Sequence, residues 1–289
     1  MTVSTILVIG GTGAQGMPVV RGLVFDGRYA VKVLARDTQS PRAQKLASIS
    51  PKVERLEGTF TSEVDLINGL QGSQGSFLNI DGFTIGEKTE MMAFYNMTMA
   101  TFTMGTYIEM AICGGNPMAP QVVIQKGEEV VIWRVPLTQP GAVVHVSLED
   151  CAYSWHWLFD HPQRDGIDLE VASEYLRFFD VTLEQYWIDG PMSKRASAAA
   201  GIEADVGESD TLTVKEDFTG FWNMWRDSGG NDGVIKRDYE LLDKIHPNRI
   251  RSVERFFRLA NEREKAQRSS LLERVKTAKS PLQPRQDRN

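Results

Sequence analysis

Cysteine is scarce: the 289 residues hold two, Cys113 and Cys151. That count excludes a disulfide framework and fits a reducing compartment. Histidine is scarce too, with four residues, and the histidines and cysteines show no metal-ligand spacing. The sequence has no run of about 18 apolar residues, so nothing reads as a membrane span. Its start has no basic region ahead of a cleavable apolar segment. A cytoplasmic protein is expected. Positive charge is in deficit, with 32 basic against 38 acidic residues. The net charge of −6 argues against non-specific nucleic-acid binding. The remaining composition, 42% hydrophobic and 24% charged, is that of a globular chain long enough for a large core.

The most informative segment opens the chain. The apolar run Thr5-Ile-Leu-Val-Ile9 leads into Gly10-Gly11-Thr12-Gly13-Ala14-Gln15-Gly16, and an amphipathic stretch with Val19, Val20, Leu23 and Val24 follows. Strand, glycine turn, helix is the order that sets a pyrophosphate on a helix N-terminus. Gly10 permits a sharp turn, Gly13 lets backbone approach phosphates, and Gly16 lets the helix lie close to the strand. The plain alternative is a glycine turn that binds nothing.

Further strands are expected at Ala30–Leu34, Val53–Leu56 and Gly75–Ile80, with helices at Pro41–Ala47 and Ser62–Leu70. Ser62 and Asp65 give the second helix a capping pattern. This β-α-β-α-β order indicates an α/β fold, a doubly wound parallel sheet with right-handed crossovers. Ligands of such sheets bind beyond the C-terminal strand ends. Gly10–Gly16, Arg36, Thr59, Phe60, Ile80 and Asp81 all fall there. Arg36 suits the 2′-phosphate of NADP, because its planar fork matches phosphate oxygens. Asp37 beside it keeps NAD open, and a solvated surface charge is the alternative for Arg36.

Gly86–Asn96 reads as a helix and Met97–Tyr107 as a strand. That interval is short, since a complete strand–helix unit takes roughly 30 residues. Beyond it, Val122–Gln125 and Val130–Val135 read as β structure about a Lys126-Gly127 turn. Strands at Val143–Val146 and Asp168–Val171 flank a helix over 147–159. Helices are expected at Thr182–Trp187, Phe218–Arg226, Tyr239–Ile245 and Arg251–Arg263. The organisation expected is an NAD(P)-binding domain over 1–150, a smaller α+β lobe over 151–263 and a polar tail over 264–289, a frayed helix passing into disorder.

These segments resemble the NmrA-like family, atypical relatives of the short-chain dehydrogenase/reductases, in its fungal form. The resemblance rests on Val8-Ile-Gly-Gly-Thr-Gly-Ala-Gln-Gly16, Val33-Leu-Ala-Arg-Asp37, Phe77-Leu-Asn-Ile-Asp-Gly82 with Ile85-Gly-Glu-Lys88, and Gly105-Thr-Tyr-Ile-Glu-Met110. His145-Val-Ser-Leu-Glu-Asp150 and Lys236-Arg-Asp-Tyr-Glu-Leu-Leu-Asp243 extend it, so that it covers about residues 3–260. It implies that residues 10–15 bind dinucleotide phosphates and Arg36 the 2′-phosphate. Thr59, Phe60, Ile80 and Asp81 would line adenine and ribose, and Tyr107 would approach the nicotinamide end. It implies an NADP-dependent oxidoreductase, with NAD as a second cofactor, acting on a small organic intermediate in fungal secondary metabolism. The other implied role is a dinucleotide-binding redox sensor that contacts a transcription factor, with a nuclear location.

Three departures stand out. The family's acidic residue after the third strand is replaced by Thr59. A strand and helix that would complete the sheet centre are missing near 91–94. No tyrosine has lysine four residues later, so the Tyr-x-x-x-Lys pair of the wider group is absent. In that pair the lysine lowers the tyrosine pKa while the tyrosine passes a proton. A damaged isoform that binds nothing is a third reading.

Other candidates carry bland alternatives. Tyr107 with Glu109 is the candidate acid/base, or a packing tyrosine. Lys88 reads as a cofactor contact or a solvated lysine. His145 alternates with Val144 and Val146 and is expected to face away from the core, as a structural histidine before a catalytic one. Trp155-His156-Trp157 reads as a reactive cluster or, since it lies in a helix, as packing. Trp187, Phe218, Phe221, Trp222 and Trp225 would wall an apolar pocket or form the core of the lobe. Both cysteines read as buried thiols.

Overall fold

The computed structural model describes residues 4–79, 100–114, 116–138, 141–164, 166–198 and 212–277. The chain divides into two compact units: Met1–Phe102 with Leu148–Leu169, and Thr103–Ser147 with Glu170–Asn289.

The first unit is built on a four-stranded parallel sheet, ordered β3-β2-β1-β4. Its strands are β1 Ser4–Ile9, β2 Tyr29–Ala35, β3 Val53–Glu57 and β4 Gly75–Leu78. β1 is apolar almost throughout because both of its faces are covered. Ile6 and Val8 pack with helices α1 (Gly16–Val24) and α2 (Pro41–Ala47). Leu7 and Ile9 face the other way, towards Leu66 of α3 (Glu63–Leu70). Helix α4 (Leu148–Asp160) lies along α1 and adds Trp155 and Phe159 to the first of these layers. Each fully buried aliphatic side chain contributes roughly 1.5–3 kcal/mol here. The doubly wound parallel sheet is the one that the apolar periodicity predicts. Local chemistry sets its boundaries. Ser40 Oγ accepts the Ala43 N–H at the start of α2, whose first residue is Pro41, and Ser62 Oγ accepts the Asp65 N–H at the start of α3.

The second unit holds a three-stranded sheet. Strand β8 (Val143–Val146) lies between a parallel β5 (Thr106–Tyr107) and an antiparallel β9 (Glu174–Leu176). A hairpin of β6 (Gln121–Gln125) and β7 (Glu128–Ile132) turns at Lys126-Gly127, both at positive φ, as a two-residue hairpin turn requires. Helices α5 (Leu183–Asp189), α6 (Val214–Ser228), α7 (Tyr239–Ile245), α8 (Val253–Ala266) and α9 (Leu271–Thr277) complete it.

Three expectations are corrected. The division does not fall at residue 150: α4 belongs with the first unit, and 103–147 belongs with the second. The segment after 263 is not a disordered tail throughout. Helix α8 continues to Ala266, and α9 packs Leu271 and Val275 against a core with Ile108, Ile112 and Val253. The expected strand over 97–107 is two short strands among the described residues, Thr101–Met104 and Thr106–Tyr107. The expected helix over 86–96 and the shortened interval near 91–94 lie outside the described residues. No helix among the described residues is long and apolar enough to cross a membrane.

Candidate functional site

The register of the first sheet aligns its C-terminal strand ends. Ile9 is level with Leu34 and Leu78, and Leu34 with Leu56. The residues that leave those ends are therefore neighbours: Gly10 onwards, Ala35-Arg36, Gly58-Thr59 and Asn79. The sheet brings Gly10–Gly16, Arg36, Thr59 and Phe60 to one edge. Ile80, Asp81 and Lys88 lie outside the described residues. Tyr107 and Glu109 belong to the second compact unit.

The loop from 10 to 16 is shaped by two glycines. Gly10 has φ +79°, and a Cβ there would stand 2.8 Å from the Asn79 carbonyl oxygen. A Cβ at Gly16 would stand 2.2 Å from the Gly10 carbonyl oxygen and 2.6 Å from Gly11 Cα. No side chain fits there without moving backbone. Within the loop, the Gly13 N–H donates to Gly10 O at 2.9 Å. Gln15 is buried. Thr12, Gly13 and Ala14 are half-exposed.

The helix that follows is chemically distinctive at its N-terminus. Helices α2, α3, α5, α6, α7 and α8 each receive a side-chain cap, from Ser40, Ser62, Thr182, Thr213, Asp238 and Ser252. Helix α1 has no side-chain cap and no acidic residue in its first turn. Its N-terminal amides and the positive end of its dipole suit an anion. The donor set therefore fits the pyrophosphate of a dinucleotide.

At the β2 end, Arg36 is exposed. Asp37 Oδ1 accepts the Gln39 N–H in a local turn. Sequence reasoning missed Arg42, in the first turn of α2, whose Nη1 donates to the Thr12 carbonyl at 3.3 Å. It places a second guanidinium beside the glycine loop. The signal was the Ser40-Pro41 helix start, which fixes where residue 42 points. Asp65 does more than take part in the cap of α3. Its Oδ2 accepts the Thr59 N–H at 2.9 Å, so a carboxylate from α3 reaches the loop where Thr59 replaces the family's acid. Phe60 packs on Leu7, Ile9 and Leu34 and so helps to hold the loop against the sheet.

The remaining candidates resolve into structure. His145 does not face away from the core. It is fully buried in β8, flanked by strands on both sides, with Nδ1 3.0 Å from the Val143 carbonyl oxygen. Burial pushes its pKa down to about 4, from an ordinary 6.5. Its unfolded form binds a proton between these values and its folded form does not. His145 therefore favours the fold above pH 6.5, and that contribution is lost as pH falls towards 4. A His145→Asn variant is expected to flatten the acid limb of a stability–pH curve between these values. The loss in the wild-type chain amounts to about 3 kcal/mol. An unchanged slope would contradict the neutral buried state.

Trp155 packs edge-on to Phe77 at 4.6 Å, as a core residue. His156 joins a surface network that ties α4 to the start of β2. Its Nε2 lies 3.3 Å from Arg28 Nη2, and the Tyr29 hydroxyl donates to Asp160 at 2.7 Å. Trp222, Trp225 and Trp187 are buried and pack on one another's neighbours, so they belong to the core of their unit. Cys113 and Cys151 are buried thiols, and burial pushes the Cys113 pKa up.

Residues 2–93 match the NmrA-like family. A relative from Aspergillus hancockii, named NmrA-like family domain-containing oxidoreductase hkm9, is 36% identical over 80 residues, which is 28% of this chain and 23% of that protein. Another from Malbranchea aurantiaca, the oxidoreductase malD of the same description, is 37% identical over 76 residues, 26% of this chain and 22% of its own length. The matched stretch thus spans less than a quarter of these relatives. Among solved structures, NmrA, a negative transcriptional regulator, superposes with TM-score 0.63 at 13% identity, over 94% of this chain and 100% of its own. The same regulator in complex with NADP gives 0.59 at 13% identity, over 89% of this chain and 94% of its own. At these identities the likeness is one of fold.

Proposed function

We propose, from the premise that residues 2–93 of this chain belong to the NmrA-like family, that it is an NADP-dependent oxidoreductase acting on a small organic intermediate of fungal secondary metabolism. One observation carries the reading: the uncapped N-terminus of α1, entered through Gly10 at positive φ and Gly16 against backbone. Two named facts support it. Its curated relatives are called oxidoreductases, and NmrA structures hold NADP or NAD.

In this reading Gly10, Gly11, Thr12, Gly13, Ala14, Gln15 and Gly16 form the cradle for the pyrophosphate, with the Gly13 amide holding the loop itself in shape through Gly10 O. Arg36 pairs with the 2′-phosphate, and Arg42 steadies the loop through Thr12. Thr59, Phe60, Ile80 and Asp81 line adenine and ribose. Tyr107, in the second unit, is the acid/base candidate. When bound, the nicotinamide supplies the hydride; the protein's part is to bind, orient and exclude water.

Arg36 tests the cofactor assignment. A charged hydrogen-bonded pair is worth about 1.5–3 kcal/mol, so Arg36→Ala is expected to weaken NADPH binding about 10–100-fold in a fluorescence titration. NADH affinity should hardly change. Equal losses for both dinucleotides would place Arg36 outside the 2′-phosphate site.

A second reading is favoured by the absence of a Tyr-x-x-x-Lys pair from the sequence. In it the chain binds the dinucleotide without turnover and regulates a transcription factor by protein contact. Steady NADPH oxidation against a panel of carbonyls and imines, with a defined product, supports the enzyme. Tight binding with no oxidation of NADPH supports the sensor.

A further inference from the structure

None of the seven residues of α9 is buried, yet the helix covers residues that are. It lies on the 3-10 turn Ile108–Ile112, which directly follows Tyr107. Ile108, Ile112 and Cys113 are all buried in the cluster beneath it.

A helix this short does not hold itself together in water, so its order comes from packing. The packing of α9 on this cluster rests on two half-buried side chains, Leu271 and Val275. The other ties are polar and lie near the surface. Arg274 Nη1 donates to Glu264 Oε1 of α8 at 2.9 Å, and Lys276 Nζ donates to Glu129 Oε2 of β7 at 2.6 Å. The Leu271 N–H donates to Asn261 Oδ1 at 3.4 Å. The Arg274 and Lys276 side chains are 38% and 31% exposed, so salt screens both pairs.

The joint to α8 adds to this weakness. Gln267, Arg268 and Ser269 are exposed, and Arg268 sits at φ +59°, which costs energy for a residue with a side chain. Cys113 is the thiol that the helix shields. It belongs to the cluster under Leu271 and Val275, and the Arg274 guanidinium stands beside it. Few apolar contacts, screened ion pairs and a strained joint place α9 at the low-stability end of its unit.

We infer that α9 is a strap that opens independently of the rest of its unit and, while open, uncovers Cys113 and the apolar side of the 108–112 turn. The inference stands on the second unit alone and does not rest on the dinucleotide reading.

Thiol alkylation of the full native chain tests it. Iodoacetamide is the probe, and peptide mass spectrometry follows each cysteine relative to its own rate in the urea-unfolded chain. Cys151, in α4 of the first unit, is 0% exposed and is the internal reference. Cys113 is expected to react at least about 10-fold faster than Cys151. Its rate should hardly change at low urea, because opening the strap exposes little surface. Raising NaCl from about 0.05 M to about 1 M should speed it about 2–5-fold, through loss of the two exposed ion pairs. Leu271→Ser combined with Val275→Ser should speed it about 10-fold or more and leave the Cys151 rate unchanged. Reaction of Cys113 no faster than Cys151 overturns the inference, as does a Cys113 rate that climbs with urea as steeply as global unfolding. An unmoved Cys113 rate in a folded double variant also overturns it. The wild-type comparisons decide the matter even where the double variant fails to fold.

Discussion

Gly16→Ala is expected to abolish dinucleotide binding and to lower Tm by about 5–10 °C. The added Cβ would lie 2.2 Å from the Gly10 carbonyl oxygen and 2.6 Å from Gly11 Cα. Both are backbone atoms, so no side-chain rotation relieves the clash. Overpacking of this kind costs about 1–3 kcal/mol or somewhat more, and each kcal/mol moves Tm about 2–4 °C in a chain of this size. The loop must shift to admit the methyl group, and the amides that would meet phosphate shift with it. Gly220→Ala is the control. Gly220 lies in α6 with nothing within 4 Å of the added Cβ. That change should be neutral, or stabilise by about 0.5–1 kcal/mol through helix propensity. A Gly16→Ala protein that keeps its Tm and binds NADPH would contradict the loop geometry.

Trp222→Ala is expected to cost about 3–5 kcal/mol, among the largest losses available to a single substitution. Trp222 is 0% exposed. Its ring meets Tyr186 at 5.4 Å and Phe221 at 5.0 Å, both edge-on. The Tyr186 hydroxyl in turn donates to the Pro117 carbonyl at 3.0 Å, so the cluster joins α5 and α6 to the loop before β6. Denaturant unfolding reads the effect directly. If these aromatic residues walled a substrate pocket instead, the variant would keep its stability and lose ligand affinity. That outcome would restore the pocket reading of Trp187, Phe218 and Trp225.

Much of the first unit was legible because its signals are local. The β1 run and the glycine spacing place strand, turn and helix without reference to any distant residue. Helix α2 starts and ends at Pro41 and Ala47 as expected, since Ser40 and Pro41 encode the start within the sequence itself. Tyr239–Ile245 was legible for the same reason, with Asp238 as its cap.

What the sequence hid is non-local. His145 alternates with valines, and alternation reports a face only when one side of a strand is wet. All four residues of β8 are buried, so the pattern carried no direction. Arg42 and Asp65 act on loops 30 and 6 residues away, through side-chain reach that spacing does not encode. Helix α9 was invisible because its apolar residues are few and set among charges. Their partners, Ile108 and Ile112, lie far earlier in the chain. The boundary between units was misplaced because each unit is assembled from separated segments, which a linear reading joins in order.

The most direct test of the dinucleotide assignment is thermal unfolding of the chain with NADP, NADPH, NAD, NADH and no ligand. Binding to the folded state at about a hundredfold excess over Kd adds about 2.7 kcal/mol, a Tm rise of about 5–10 °C. The account predicts that rise with NADP and NADPH, and a smaller one with NAD and NADH. No shift with any of the four would contradict it, and would leave the glycine loop as a turn that binds nothing.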